Sequence, residues 1–170
     1  MRTPTLSVLL ALLTVVHTAF AQDKELTTAG RFRLVLDPAV QSTPYTGRVY
    51  VVLARRSQPE PRQQMSNWFS PAQTFALDVV DLPAGEAVEI EEAKLAFPND
   101  WSAVPAGEYW CQAIARRSLD SPSPGTGPGD LYSKPLRMTF SPDSSEAIEL
   151  RLTEVVAARP FKETETLGLV

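Results

Sequence analysis

The sequence predicts an all-β protein, an immunoglobulin-like antiparallel two-sheet β-sandwich of about seven strands. Three observations predict it. Short stretches of alternating apolar and polar residues recur along the 170-residue chain. Fifteen prolines and eight glycines are spread through it, a density that suits short strands and turns and does not suit long helices. Gly107-Glu108-Tyr109-Trp110-Cys111 places a tyrosine two residues before a cysteine at a strand start. That pattern resembles the tyrosine corner of immunoglobulin-like domains, in which the hydroxyl bonds back to the upstream backbone.

The elements follow in order. Residues 30–37 (GRFRLVLD) put Phe32, Leu34 and Leu36 on one face and Arg31, Arg33 and Val35 on the other, the pattern of a half-buried strand. After a turn region at 38–44, residues 47–56 (GRVYVVLARR) are apolar on both faces, which predicts a central strand. Residues 57–73 (SQPEPRQQMSNWFSPAQ) hold three prolines and an aromatic pair and read as a long loop. Residues 74–81 (TFALDVVD) alternate again, a turn follows at 82–86, and Val88 and Ile90 mark a short strand. Residues 91–96 read as a helical turn ended by Pro98. A turn at 105–108 feeds the strand 109–117 (YWCQAIARR), and residues 118–135, rich in Ser, Pro and Gly, read as a long exposed loop. Leu136, Met138 and Phe140 form the sixth strand, and Ile148, Leu150 and Leu152 the seventh. Beyond them the periodicity is lost, so residues 22–153 read as the β-domain and 154–170 as a linker-like tail.

Residues 1–21 read as a secretory signal peptide: Arg2, an apolar run from Leu6 to Val16, and the small-x-small site Ala19-Phe20-Ala21. The expected location is therefore periplasmic or extracellular. The segment contains His17, the only histidine. Removing 21 of 170 residues leaves 149 with no histidine, one cysteine, and 15 basic against 20 acidic side chains, a net charge of about −5. Such an acidic product lacks the basic footprint of nucleic-acid binding. No other apolar run approaches membrane-spanning length, so stable membrane insertion is not expected. Cys111 has no partner for a disulfide, and its expected place is buried and inert, with packing alone holding the sheets.

Catalysis has little to work with. There is no Gly-x-Ser-x-Gly elbow and, after cleavage, no histidine to act as general base. Asp78, Asp81, Glu89, Glu91 and Glu92 offer carboxylates for glycoside hydrolysis, but acidic residues on the outer face of strands read first as solvated. Asn99, Asp100, Asp120 and Asp130 lack the spacing of a calcium loop. The chain is expected to be no enzyme and to need no metal or cofactor.

The binding candidates are aromatic and cationic. Trp68 and Phe69 lie in one polar loop and Trp101 in another, and exposed aromatics of this kind stack on sugar rings or anchor a partner protein. The plainer reading, that each folds back to close one end of the sandwich, is preferred, more strongly for Trp101. Trp110 falls within a strand and reads as packing. Ala54-Arg55-Arg56-Ser57 and Ala115-Arg116-Arg117-Ser118 each end an apolar strand. If the two strands run the same way, four arginines gather at one pole and grip an anionic group; more often such residues guard strand ends against aggregation.

The segments GRVYVVLARR, NWFSPAQTFALDVVDLPAGE, PAGEYWCQA, GTGPGDLYS and RPFKETE together resemble the N-terminal region of secreted bacterial esterases of the α/β-hydrolase class, of planctomycete type. The resemblance covers most of residues 30–166. It implies a β-rich module preceding a catalytic domain, with Arg-Pro-Phe-Lys-Glu-Thr leading into that domain. No catalytic residue carries over, because no position here matches one. The resemblance therefore implies a non-catalytic accessory module that positions or binds substrate for an esterase or other hydrolase, in cis or in trans. Two alternatives stand beside it: a carbohydrate-binding module that holds polysaccharide through its loop tryptophans, and a structural or adhesive immunoglobulin-like domain with a protein partner.

Overall fold

The computed structural model describes residues 26–93, 95–158 and 160. The expected signal peptide and most of the expected tail lie outside them. The described residues are mostly β, with ten strands: β1 Thr28–Ala29, β2 Arg31–Leu36, β3 Tyr45–Ala54, β4 Gln73–Leu82, β5 Ala87–Ile90, β6 Leu95–Phe97, β7 Gly107–Ala115, β8 Leu131–Ser133, β9 Leu136–Phe140 and β10 Ala147–Val155. They form one open, mixed sheet in the order β5-β2-β10-β8-β7-β3-β4-β6, with β9 pairing both β1 and β7.

The seven expected strands are present, and three short ones join them. Residues 95–97 form edge strand β6 and not a helical turn, because Ala96 lies opposite Phe75 and is drawn onto β4. Three residues are too few to show a period. Strand β8 lies inside the stretch read as a loop, paired to both β7 and β10. Strand β10 runs two residues into the stretch read as a tail. The register shifts between Leu152 and Glu154, and such a shift breaks the period-two pattern that marks a strand in the sequence.

The pairing is not wholly antiparallel as expected. β2 runs parallel to β10 and β1 parallel to β9. These strands come from opposite ends of the domain and are joined by no hairpin. Gly30 marks the step from β1 to β2. A Cβ there would come within 2.2 Å of the Ser144 carbonyl oxygen, so only glycine fits.

The sheet wraps around one core. Phe32 of β2 and Phe75 of β4 are far apart in the strand order, yet their rings are 6.2 Å apart. Phe140 lies 6.0 Å from both. The indole of Trp101 completes the cluster, 4.4 Å from Phe75 and 5.5 Å from Phe140. Strand β3 is central, between β4 and β7, as its apolar pattern predicts. Val49, Val51 and Leu53 face the main core, while Tyr50, Val52 and Ala54 join a second apolar cluster with Ala72 and Ile114 on the other face.

Candidate functional site

The second cluster explains how the loop between β3 and β4 is held. A short helix, α1 (Pro61–Gln64), lies over β3 and β7 with Pro61 buried. Beneath it is Gln112, fully buried in the middle of β7. Its side chain accepts from the Arg62 backbone N–H (2.9 Å) and donates to Glu60 (3.0 Å) and to the Ser133 carbonyl (2.8 Å). The Arg62 guanidinium bonds Glu60 at 2.8 Å, reaches the Gly125 carbonyl and lies 4.2 Å from the Tyr132 ring centre. Burial alone would raise the Glu60 carboxyl, but the hydrogen bonds from Gln112 and Arg62 outweigh it and hold the group below its ordinary range. This network was not anticipated from the sequence. Its one visible signal is a glutamine in an otherwise apolar strand.

From this base the chain rises to a tip at residues 66–70. Gln64 bonds both flanks of the loop: its side chain donates to the carbonyls of Arg56 and Pro59, and its own carbonyl accepts from Ala72 (3.1 Å). At the tip, the Asn67 side chain accepts from the backbone N–H groups of Phe69 (3.2 Å) and Ser70 (3.3 Å), a turn typical of asparagine. The backbone is tied and the two rings are not: Trp68 is 90% exposed and Phe69 95%. The preferred expectation that they fold back is overturned, because the Asn67 turn points both rings outward. Trp101 does the reverse. The 3-10 turn Trp101–Ala103 tucks its indole into the core, 7% exposed, and removes it from the binding candidates.

The arginines do not gather as one cluster. β3 and β7 are antiparallel neighbours, with Ala54 opposite Trp110 and Val49 opposite Ala115. Arg55 and Arg56 therefore end at one pole, and Arg116 and Arg117 at the other. The second pair is bound into the loop that follows β7. Arg116 donates to the carbonyls of Ser118 (3.1 Å) and Ser121 (2.8 Å). The backbone N–H groups of Arg117 and Ser118 donate to one oxygen of the buried Asp130, and those of Gly125 and Gly127 to the other. Asp130 is a loop organiser, with its oxygens turned to four amides.

The first pair lies beside the aromatic tip. A cleft of about 290 Å³ opens between the end of β3, the start of β4 and the turn before β7, and Ser70 and Pro71, next to the tip, form one wall. Arg55 is fixed across it: its guanidinium lies 3.8 Å from the centre of the Tyr109 ring and donates to the Glu108 carbonyl (2.9 Å) and the Tyr109 hydroxyl (2.7 Å). The Tyr109 hydroxyl in turn donates to the Pro105 carbonyl, four residues upstream (2.8 Å). Burial raises that hydroxyl above its ordinary range, against the pull of Arg55. Gln73 and Asn99 bond each other across the cleft floor. Cys111 is fully buried behind it, and burial pushes its thiol up to about 12.

Among the carboxylates considered for glycoside hydrolysis, Asp78 is held by two donors of Arg48, at 2.6 and 2.8 Å. Those hydrogen bonds keep it below its ordinary range, the wrong direction for a general acid. Glu91 pairs with Arg31 at 3.1 Å.

No protein-family model, curated protein or solved structure matches the chain.

Proposed function

We propose that this domain is a non-catalytic binding module that holds a polysaccharide through Trp68 and Phe69 and works beside a hydrolase. The observation that carries the reading is the aromatic pair, two adjacent rings at least 90% exposed on a backbone tied by hydrogen bonds. A folded domain gains nothing in stability from exposing such rings. A rigid apolar surface is what stacks on the faces of sugar rings at little entropic cost on binding. The polar flanks Ser66, Asn67 and Ser70 suit a hydroxyl-rich ligand. The resemblance to the N-terminal region of secreted esterases supplies the neighbour: a module that keeps an ester-bearing polymer close to the enzyme that cleaves it. The reading of residues 1–21 as an export signal supports a site of action outside the cytoplasm.

The ten-stranded sheet is best read as two layers of immunoglobulin-like type. The packing of Phe32 against Phe75 and the hydrogen bond from Tyr109 to Pro105 support that reading. In it, the tip and the cleft share one end of the sandwich, where such folds carry their binding loops.

The test is affinity electrophoresis of residues 22–170 through gels containing single plant or algal polysaccharides. Retardation by at least one polymer, lost in Trp68→Ala with the fold intact by circular dichroism, is the expected result. Free migration through every gel would overturn the reading.

A second reading has its own observation. Leu95 and Phe97, 45% and 61% exposed, line one face of edge strand β6. An edge with apolar side chains that no described residue pairs is a place for a protein partner, the hydrolase domain included. Phe97→Asp weakening association with that domain, while leaving polysaccharide retention unchanged, would favour it.

A further inference from the structure

We propose that the polysaccharide held at the tip is acidic, and that Arg55 and Arg56 in the adjoining cleft bind an oxyanion carried on its sugar rings. The inference rests on the polysaccharide reading above and names the class of ligand.

Four observations carry it. The domain has more acidic than basic side chains, yet the cleft is lined by two arginines and, among the described residues, by no carboxylate. The acidic groups closest in sequence are engaged elsewhere or stand outside: Glu108 bonds Arg137 at 2.6 Å, Glu60 bonds Arg62, and Asp100 is exposed beyond the cleft wall. Arg55 is preorganised, since stacking on Tyr109 and two hydrogen bonds fix its plane. Those bonds use two of its five N–H donors and leave its charge uncancelled, because a carbonyl and a hydroxyl are neutral. Arg56 has no side-chain partner among the described residues, so its whole fork is open to a ligand.

The rest of the cleft suits a sugar. The amides of Gln64, Gln73 and Asn99 lie around it, and the wall of Ser70 and Pro71 leads directly to Phe69 and Trp68. A chain stacked on the aromatic tip and running along that wall reaches the arginines. The planar guanidinium fork matches a carboxylate in two parallel hydrogen bonds, and it donates in the same way to a pair of sulfate oxygens. A uronic acid and a sulfated sugar are two sources of this one chemistry. At the opposite pole Arg116 is bound to loop carbonyls and Arg48 to Asp78, and the exposed Arg117 shares its cleft with the Asp78 carboxylate, which the cleft beside the tip lacks.

The test uses residues 22–170 and three soluble polymers: polygalacturonate, a sulfated galactan and neutral xyloglucan. Arg56→Gln is the primary variant because the wild-type side chain has no partner among the described residues, so its melting temperature should not move. Expected is binding to one or both acidic polymers, weakened by added salt and weakened about tenfold in Arg56→Gln, as for loss of hydrogen bonds to a charged group. Which acidic polymer binds identifies the anion as carboxylate or sulfate. Binding to xyloglucan that is lost in Trp68→Ala but indifferent to salt and to Arg56→Gln would overturn the acidic ligand while leaving the aromatic site in place. Absence of binding to all three and to the wider glycan panel would overturn both.

Discussion

Two tryptophans with similar sequence surroundings have opposite fates. Asn67-Trp68 and Asn99-Asp100-Trp101 both follow asparagine in a polar loop, and hydropathy does not separate them. The difference is made by neighbours the sequence does not place: Phe75 and Phe140 receive the Trp101 indole, while the Asn67 side chain turns the Trp68 backbone outward. Trp101→Ala is therefore expected to cost about 3–5 kcal/mol, and Trp68→Ala less than about 0.5 kcal/mol, by urea denaturation. Near-equal costs would show that the two rings are not divided between core and surface. Cys111 is more legible, since a lone cysteine in an apolar strand belongs inside. Its raised thiol should leave native protein unreactive to a disulfide reagent at pH 8, with reaction only on unfolding. Cys111→Ala should cost about 1–2 kcal/mol through the small cavity it leaves.

At the scale of elements, strands with a clean period are visible in the sequence and those without one are not. β2, β3, β4 and β7 show their faces in their residues. β6 exists because β4 offers it an edge and β8 because β7 and β10 flank it, and three residues carry no period to announce either. The arginine pairs fail for a related reason. Their sequence echo is real, but whether two strands run the same way is fixed by connections and not by composition. The base of the aromatic loop depends on Gln112. Its replacement by leucine leaves the Arg62 backbone N–H and the Ser133 carbonyl without the glutamine and Glu60 with Arg62 alone, and is expected to destabilise by about 1–3 kcal/mol. Faster amide exchange at residues 61–67 would localise the effect, and unchanged exchange there would show that the network does not hold the loop. Glu60 adds a pH dependence. Its folded pKa lies below the unfolded one, so its contribution is complete above the unfolded value of about 4.3. It is lost as pH falls through the folded value. The drop in melting temperature between pH 6 and pH 3 should be smaller in Glu60→Gln than in wild type, and equal drops would contradict the assignment.

For the whole molecule, the all-β class was legible because turn residues and alternation agree along the chain. The parallel pairing of β1 with β9 and of β2 with β10 was not, since nothing local in either partner encodes which distant strand lies beside it. That pairing brings the two ends of the domain together and, among the described residues, leaves β5 and β6 at the two ends of the strand order. The functional end follows from the same topology. Antiparallel β3 and β7 put Arg55 and Arg56 at the pole where the loop before β4 carries its aromatic tip, and Arg116 and Arg117 at the other. Half of the expected cationic cluster is thereby removed, and the half that remains acquires the exposed rings as neighbours. The measurement that tests this account most directly is acrylamide quenching of tryptophan emission with and without saturating polygalacturonate. Trp68 is the one fully exposed tryptophan among the described residues, so the account predicts strong quenching in the free protein, protection in the complex, and loss of the quenchable component in Trp68→Ala. Polymer that binds without protecting Trp68 would contradict the aromatic tip as the site of contact.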